Sequence, residues 1–325
     1  MSAKTALITG AHGQDGTLLS ERLIGLGYRV VGVVRETARS ARTHANGVEF
    51  SSADLCDPAA MRALLEKWQP DEIYHLAARH HSTEESTADS QAGALQGMLA
   101  TNFTSTQTLA LAVLATGAKP SLVFAGSSQM YTAAGADDRV CELTPRRPST
   151  FYGRVKSWSA ELLAELRADF GLRVSTAILF NHESPLRRGQ FVSRKITQAA
   201  AAIRMGQPAR LEVLNSHARA DWCSAADAVR ALHLMATAPV ARDYVVASGS
   251  LHSVEDLLDQ AFGHCGLNWR EHVVAREARE QPALYGDPTL IEAELGWRRS
   301  LSFERMIGEM VDHDLRLLGA GVPLV

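Results

Sequence analysis

Lys4-Thr5-Ala6-Leu7-Ile8-Thr9 reads as a short buried strand and runs straight into Gly10-Ala11-His12-Gly13-Gln14-Asp15-Gly16. Behind it Leu18, Leu19, Leu23 and Ile24 recur at helical spacing as far as Gly27, and Arg29 to Val34 reads as a second strand. Strand, glycine turn, helix and strand in that order form a dinucleotide-binding fingerprint. The first glycine permits the tight turn, the second lets backbone N–H groups approach a pyrophosphate, and the third lets the helix pack close to the strand. Gly10, Gly13, Gln14, Asp15 and Gly16 are therefore the expected cofactor cradle. The residues after the second strand should read the adenosine ribose, and they point in opposite directions. Arg35 can pair a 2′-phosphate, whereas Glu36 can accept hydrogen bonds from a free 2′-hydroxyl and would repel a phosphate. Arg39 and Arg42 add positive charge nearby, so NADP is the expected cofactor and NAD the alternative.

Further along, Asp54-Leu55 precedes a helical pattern over Pro58 to Trp68, and Asp54 either meets the adenine edge or caps that helix. Glu72 to Ala78 reads as a third strand, with Leu76, Ala77 and Ala78 letting a cofactor lie against the backbone. His80 and His81 follow. Neighbouring side chains diverge and no third ligand has suitable spacing, so a solvated or substrate-facing pair is expected and no metal. Ala94 to Ala115 carries a long helical pattern with Asn102 in its middle, assigned to the cofactor side. Ser121 to Gly126 reads as a fourth strand, and Ser127, Ser128 and Gln129 stand at its carboxyl end, where open α/β sheets receive their ligands.

Phe151-Tyr152-Gly153-Arg154-Val155-Lys156 then opens an apolar helical pattern. Tyr152 and Lys156, at i and i+4, share one helix face. A cation there stabilises tyrosinate and draws the phenol down from ~10 toward the working pH, where it can accept and return a hydroxyl proton. Ser127 can hydrogen-bond the same hydroxyl. Val174 to Phe180 reads as the next strand, and strands alternating with helices imply an α/β, Rossmann-type, doubly wound parallel sheet with a smaller C-terminal substrate-binding domain. The expected division is 1–180 for the dinucleotide, 181–325 mainly for the substrate, with about 217–250 returning to the first.

A net charge of −3 offers no global attraction to nucleic acid or to an anionic membrane, so phosphate recognition has to be local. No apolar run approaches the ~18 residues of a membrane span, and the N-terminus enters a strand pattern at once, so a cytoplasmic location is expected. Cys56, Cys141, Cys223 and Cys265 are widely separated, which suggests buried thiols rather than a disulfide framework.

Assembled, these residues resemble the extended short-chain dehydrogenase/reductase superfamily and, within it, the GDP-mannose 4,6-dehydratase family. The most specific stretches are Gly10 to Gly16, Pro145 to Lys156, and Leu179-Phe180-Asn181-His182-Glu183-Ser184-Pro185-Leu186-Arg187 with its continuation through Phe191 to Ile196. The resemblance implies oxidation at sugar C4 by bound NADP through Tyr152 and Lys156, with Ser127 in the place of a Thr. A Glu then removes the C5 proton, water leaves from C6, and the stored hydride returns to C6. Expected substrate contacts are His81, Ser128, Asn181, Glu183, Arg187, Lys195 and Arg219, for a nucleoside-diphosphate sugar with a GDP-linked one favoured. A homodimer or homotetramer is expected.

Two departures matter. The position matching the catalytic Glu is Gln129, and an amide has no useful basicity near neutral pH. An Arg of the family pattern is Ala220 here, with Arg219 one place earlier, and another is Glu277, flanked by Arg276 and Arg279. The expectation is therefore C4 epimerisation or oxidoreduction through a 4-keto intermediate without dehydration. The alternatives are a 4,6-dehydratase using a substitute base, with Glu183 and His80 conceivable, and a binding protein that has lost its chemistry.

Overall fold

The computed structural model describes residues 3–34, 47–79, 88–135, 137–276 and 282–324. In chain order the first half comprises Thr5–Thr9 (β1), Gln14–Gly25 (α1), Arg29–Val34 (β2), Val48–Ser52 (β3), Pro58–Trp68 (α2), Glu72–His75 (β4), Ala88–Leu99 (α3), Ser105–Thr116 (α4), Ser121–Ala125 (β5), Asp137–Val140 (β6), Phe151–Phe170 (α5), Val174–Leu179 (β7) and Asn181–Glu183 (β8). The second comprises Val192–Arg204 (α6), Leu211–Val213 (β9), Arg219–Ser224 (β10), Ala225–Thr237 (α7), Tyr244–Val246 (β11), Leu251–Ser253 (β12), Val254–His264 (α8), Val273–Ala275 (β13), Ala283–Gly286 (β14), Thr289–Leu295 (α9) and Phe303–Gly319 (α10).

Seven strands make one parallel sheet in the order β11-β7-β5-β4-β1-β2-β3. From β1 the chain winds outward through β2 and β3, then returns to β4 on the other side of β1 and winds away. The crevice beside the carboxyl ends of β1 and β4 is thus the topological switch point. The central strands read as continuous apolar runs because both faces are covered. Leu7 packs into one core with Leu64, Leu109 and Leu163, while its neighbours Ala6 and Ile8 pack into the opposite core with Leu19, Leu23 and Leu232.

A third core joins α6, α8 and α10 through Ile196, Phe262 and Ile307, with Trp222 of β10 against it. Arg194 lies within this layer, buried and paired with Asp314 of α10, so it lines neither a pocket nor an exposed interface. Within 217–250, α7 contributes Leu232 and Met235 to the core beneath the large sheet and β11 extends that sheet, whereas β10 pairs with β8 and β12 in a separate three-stranded one.

Three local readings change. Val48–Ser52 is an edge strand that the sequence reading left unassigned. The third expected strand stops at His75, leaving Leu76 to Arg79 as a loop. The long helix expected over 94–115 is interrupted by a π-helical turn at Ala100–Thr104, with Asn102 buried inside it.

Candidate active site

Gly10 has a positive φ of 74°, and a Cβ there would lie 2.8 Å from Ala77 N, so the β1 turn and the loop after β4 touch through backbone. A Cβ on Gly16 would collide with Gly10 O and Ala11 Cα, so α1 sits directly on the turn. The amides that open α1 consequently face the switch-point crevice, the local geometry a pyrophosphate needs. Leu76 N donates to Thr9 O and Ala77 N to Thr9 Oγ1, which fixes the second wall.

Gln14 and Asp15 turn away from that cradle toward the segment after β7. Gln14 Nε2 donates to His182 O at 3.1 Å, and Ser184 Oγ donates to Gln14 Oε1 at 2.8 Å. His182 Nε2 meets Asp15 Oδ2 at 3.1 Å while its Nδ1 meets Phe180 O at 2.8 Å. Burial works against both charges, yet the pairing wins: His182 is raised and Asp15 lowered from their usual values. His182 was absent from the expected site residues. The signal was its place in the stretch Asn181 to Pro185, which runs from β8 toward α6 and meets Gln14 and Asp15 of α1.

The residues expected to react are brought together by the first turn of α5. Thr150 caps that helix, accepting from Gly153 N at 3.0 Å, and donates its hydroxyl to Gln129 Oε1 at 3.2 Å. Gly153 is packed so tightly on Gln129 O that any Cβ would collide with it. The turn after β5 is thereby held flush against α5, bringing Ser127 within hydrogen-bonding reach of Tyr152. Lys156 is buried, donates to Ala125 O at 2.8 Å, and lies 4.7 Å from the Phe124 ring centroid and 5.9 Å from that of Tyr152.

The electrostatics differ from the expectation that Lys156 draws the phenol down. Burial pushes Tyr152 up to about 12, opposed by the Arg187 guanidinium and by the Ser127 hydrogen bond. Burial also pushes Lys156 down to about 7, so the ammonium that was to stabilise tyrosinate is itself close to half-protonated at neutral pH. The cation acting on the phenol is Arg187, whose guanidinium stacks 3.7 Å from the Phe191 ring centroid and lies 3.4 Å from Glu183. Because its folded pKa is depressed, Lys156 contributes stability that is present above its unfolded pKa and is lost as pH falls through about 7. The unfolding free energy of wild type relative to Lys156→Met should therefore rise from about pH 7 to about pH 10 in denaturant titrations, and a flat difference would refute this burial argument.

Other expected residues divide clearly. Asn102 engages the backbone of Arg79, accepting from N at 3.2 Å and donating to O at 2.9 Å, so it holds the loop after β4. Asp54 accepts from Cys56 N, while Asp57 caps α2, and Leu55 packs partly buried against the large core. Glu183 is buried, bound by Ser193 Oγ and facing Arg187, so it is not poised as a substitute base. Glu142 caps Val245 N. Ser128 opens the short turn after Ser127, Asn181 starts β8 opposite Trp222, and Lys195 is half-buried in the first turn of α6. Strand alternation places Arg219 on the face opposite Ala220, where it pairs with Asp137, so it does not replace an arginine at 220. Arg35, His80, His81, Glu277 and Arg279 lie outside the described residues; Arg276 is exposed and pairs with Glu212.

Beneath the site, His75 joins three elements that the sequence reading kept apart. Its Nδ1 meets Thr9 Oγ1 at 2.8 Å and its Nε2 meets Thr106 Oγ1 at 3.0 Å, and burial with the Lys156 charge pushes it down to about 3. Among the described residues no group of His, Cys, Asp and Glu is arranged to hold a metal ion, and no helix is long and apolar enough to cross a membrane.

The doubly wound parallel sheet sets Ser127, just after β5, against Tyr152 and Lys156 of α5, and the family match gives the class: a nucleotide-sugar epimerase/dehydratase of the extended short-chain dehydrogenase/reductase superfamily. The model of the GDP-mannose 4,6 dehydratase family matches residues 7–310, and the chain belongs to that family of enzymes. It is 35% identical to GDP-mannose 4,6 dehydratase 2 of Arabidopsis thaliana, over 97% of this chain and 87% of the relative. UDP-glucose 4-epimerase of Thermotoga maritima, solved with UDP-glucose, superposes with a TM-score of 0.81 at 19% identity, covering 97% of this chain and 99% of that one. RMD of Pseudomonas aeruginosa, complexed with NADPH, gives 0.75 at 19%, covering 97% and 100%. The structural likenesses establish the fold. The expected preference for C4 epimerisation finds no support in the family match or the dehydratase relative, which favour the dehydratase alternative, and the likeness to an epimerase reaches no further than the fold.

Proposed function

We propose that the protein is an NADP-dependent 4,6-dehydratase acting on GDP-mannose or a closely similar sugar nucleotide. The observation that carries the reading is a family match that takes in elements from β1 to α10. The cradle at Gly10 to Gly16, where added Cβ atoms would collide, fits a dinucleotide, and Arg187 together with Lys195 fits the diphosphate side of the substrate. The seven-stranded sheet would carry the dinucleotide, and the layer built on α6, α8 and α10 the sugar nucleotide.

A bound nicotinamide supplies the acceptor and later the donor of two electrons and a hydrogen. In its ionised form Tyr152 takes the O4 proton, Ser127 orients that hydroxyl, and Lys156 stands beside the phenol as a buried amine near its own midpoint, able to receive the proton that the phenol must first lose. Once C4 is a ketone, C5–H is acidified and loss of the C6 hydroxyl becomes accessible. Gln129 provides no carboxylate, and Glu183 is engaged by Ser193 and Arg187. Removal of the C5 proton thus falls to groups weaker than the family's glutamate and becomes the slow step. Incubation with GDP-mannose in deuterated water tests this reading. The expected product carries a C6 methyl group and deuterium at C5; a product with its C6 hydroxyl intact, altered only at C4, defeats it.

We further propose that two copies pair through α4 and α5, where Leu111 and Trp158 are 47% and 45% exposed despite their size. Trp158→Glu should lower the mass measured by light scattering to that of one chain. An unchanged mass places the interface elsewhere.

A further inference from the structure

The loop from Ser184 to Phe191 joins β8 to α6, and its two ends close on its middle. Glu183, the last residue of β8, and Ser193, in the first turn of α6, are both buried, and Ser193 Oγ donates to Glu183 Oε2. The same oxygen faces Arg187 Nε at 3.4 Å, while the Phe191 ring covers one face of the guanidinium at 3.7 Å. Arg187 N donates to Ser184 O at 3.0 Å, so the backbone beneath the side chain is tied as well. Arg187 Nε is buried and has no hydrogen-bond partner among the described residues, which leaves the carboxylate and the ring to compensate it. A carboxylate buried in this way serves the arginine rather than the substrate.

We propose that Glu183 is a positioning residue for the C4 oxidation: together with Phe191 it holds the Arg187 guanidinium toward the Tyr152 phenol before any ligand arrives. The inference rests on the reaction given above and adds to it a residue that the proton transfer does not touch. An arginine free to rotate spreads its charge over many positions. A held one keeps its full effect on an ionising neighbour, because the attraction between charges falls with distance. The charged groups around the phenol are Arg187, Asp15 of α1 with the opposite effect, and Lys156 one turn along α5, while His182 of β8 is paired with Asp15. Arg187 is the cation among them that favours the phenolate, and Glu183 is the group that fixes Arg187.

Glu183→Gln tests the assignment by the sign of its effect. The amide keeps the size of the side chain and can still accept from Ser193, but it gives up the ion pair. If Glu183 acted only through its own negative charge, removing it would favour the phenolate and speed the step. Release of Arg187 should instead slow the reduction of bound NADP+ by saturating GDP-mannose about tenfold in a single turnover. Carbon-13 NMR of the full-length protein labelled at tyrosine Cζ, with the Tyr152 resonance assigned through Tyr152→Phe, should show the phenol titrating at higher pH in Glu183→Gln. Phe191→Leu leaves every charge in place and should move both readouts the same way. Faster reduction in Glu183→Gln, or a Tyr152 titration unmoved in both variants, overturns the role given to Glu183. Absence of reduction in the unaltered protein would overturn the reaction reading, and the Tyr152 titration would still decide whether Glu183 sets the phenol.

Discussion

Gln129→Glu should raise the rate of C5 deprotonation by roughly 10²- to 10⁴-fold, the range that a positioned general base supplies. Thr150 already donates to Gln129 Oε1, and a glutamate oxygen can accept the same bond, so the substitution keeps the contact that orients the side chain. The position borders the first turn of α5, where partial positive charge favours an ionised carboxylate. A base would thus replace an amide with little change of shape. Solvent deuterium appearing at C5, followed by NMR, reports the step directly. Unchanged exchange in Gln129→Glu would show that residue 129 does not face C5, and would remove it from the account.

The second large effect is at Tyr152. Tyr152→Phe deletes the group assigned to take the O4 proton and should cost roughly 10²- to 10⁴-fold in the appearance of reduced dinucleotide on adding GDP-mannose. Binding of the dinucleotide should persist, because the glycine cradle does not use the phenol. The two substitutions act on successive steps, so Gln129→Glu cannot rescue Tyr152→Phe. Rescue in the double variant would mean that C4 oxidation does not precede the elimination. Retained cofactor reduction in Tyr152→Phe would move the proton transfer to another residue.

The sequence disclosed most of what local pattern encodes. β1, its glycine turn and α1 were readable because Leu7 and Ile8 must face opposite cores and Gly16 must admit a helix to the turn. Ser127, Tyr152 and Lys156 were readable because strand ends and the i, i+4 spacing converge on one crevice. What could not be read depends on long-range contacts. Three-residue strands such as β8 and β12 are too short for alternation to declare them, yet β8 carries the His182 that grips Asp15 across 167 positions. The π-helical turn is invisible in periodicity, and with it the diversion of Asn102 to the loop after β4. Charge was the hardest part. Proximity in sequence suggested that Lys156 would govern the phenol, whereas burial depresses the lysine and leaves Arg187, 35 residues beyond Tyr152, as the effective cation.

Transfer of a label within one sugar is the sharpest test of dehydration through a 4-keto intermediate. GDP-mannose carrying deuterium on C4 should give a product in which that deuterium resides on the C6 methyl group, with C4 left as a ketone. Deuterium found back on C4 beside an intact C6 hydroxyl would contradict the account.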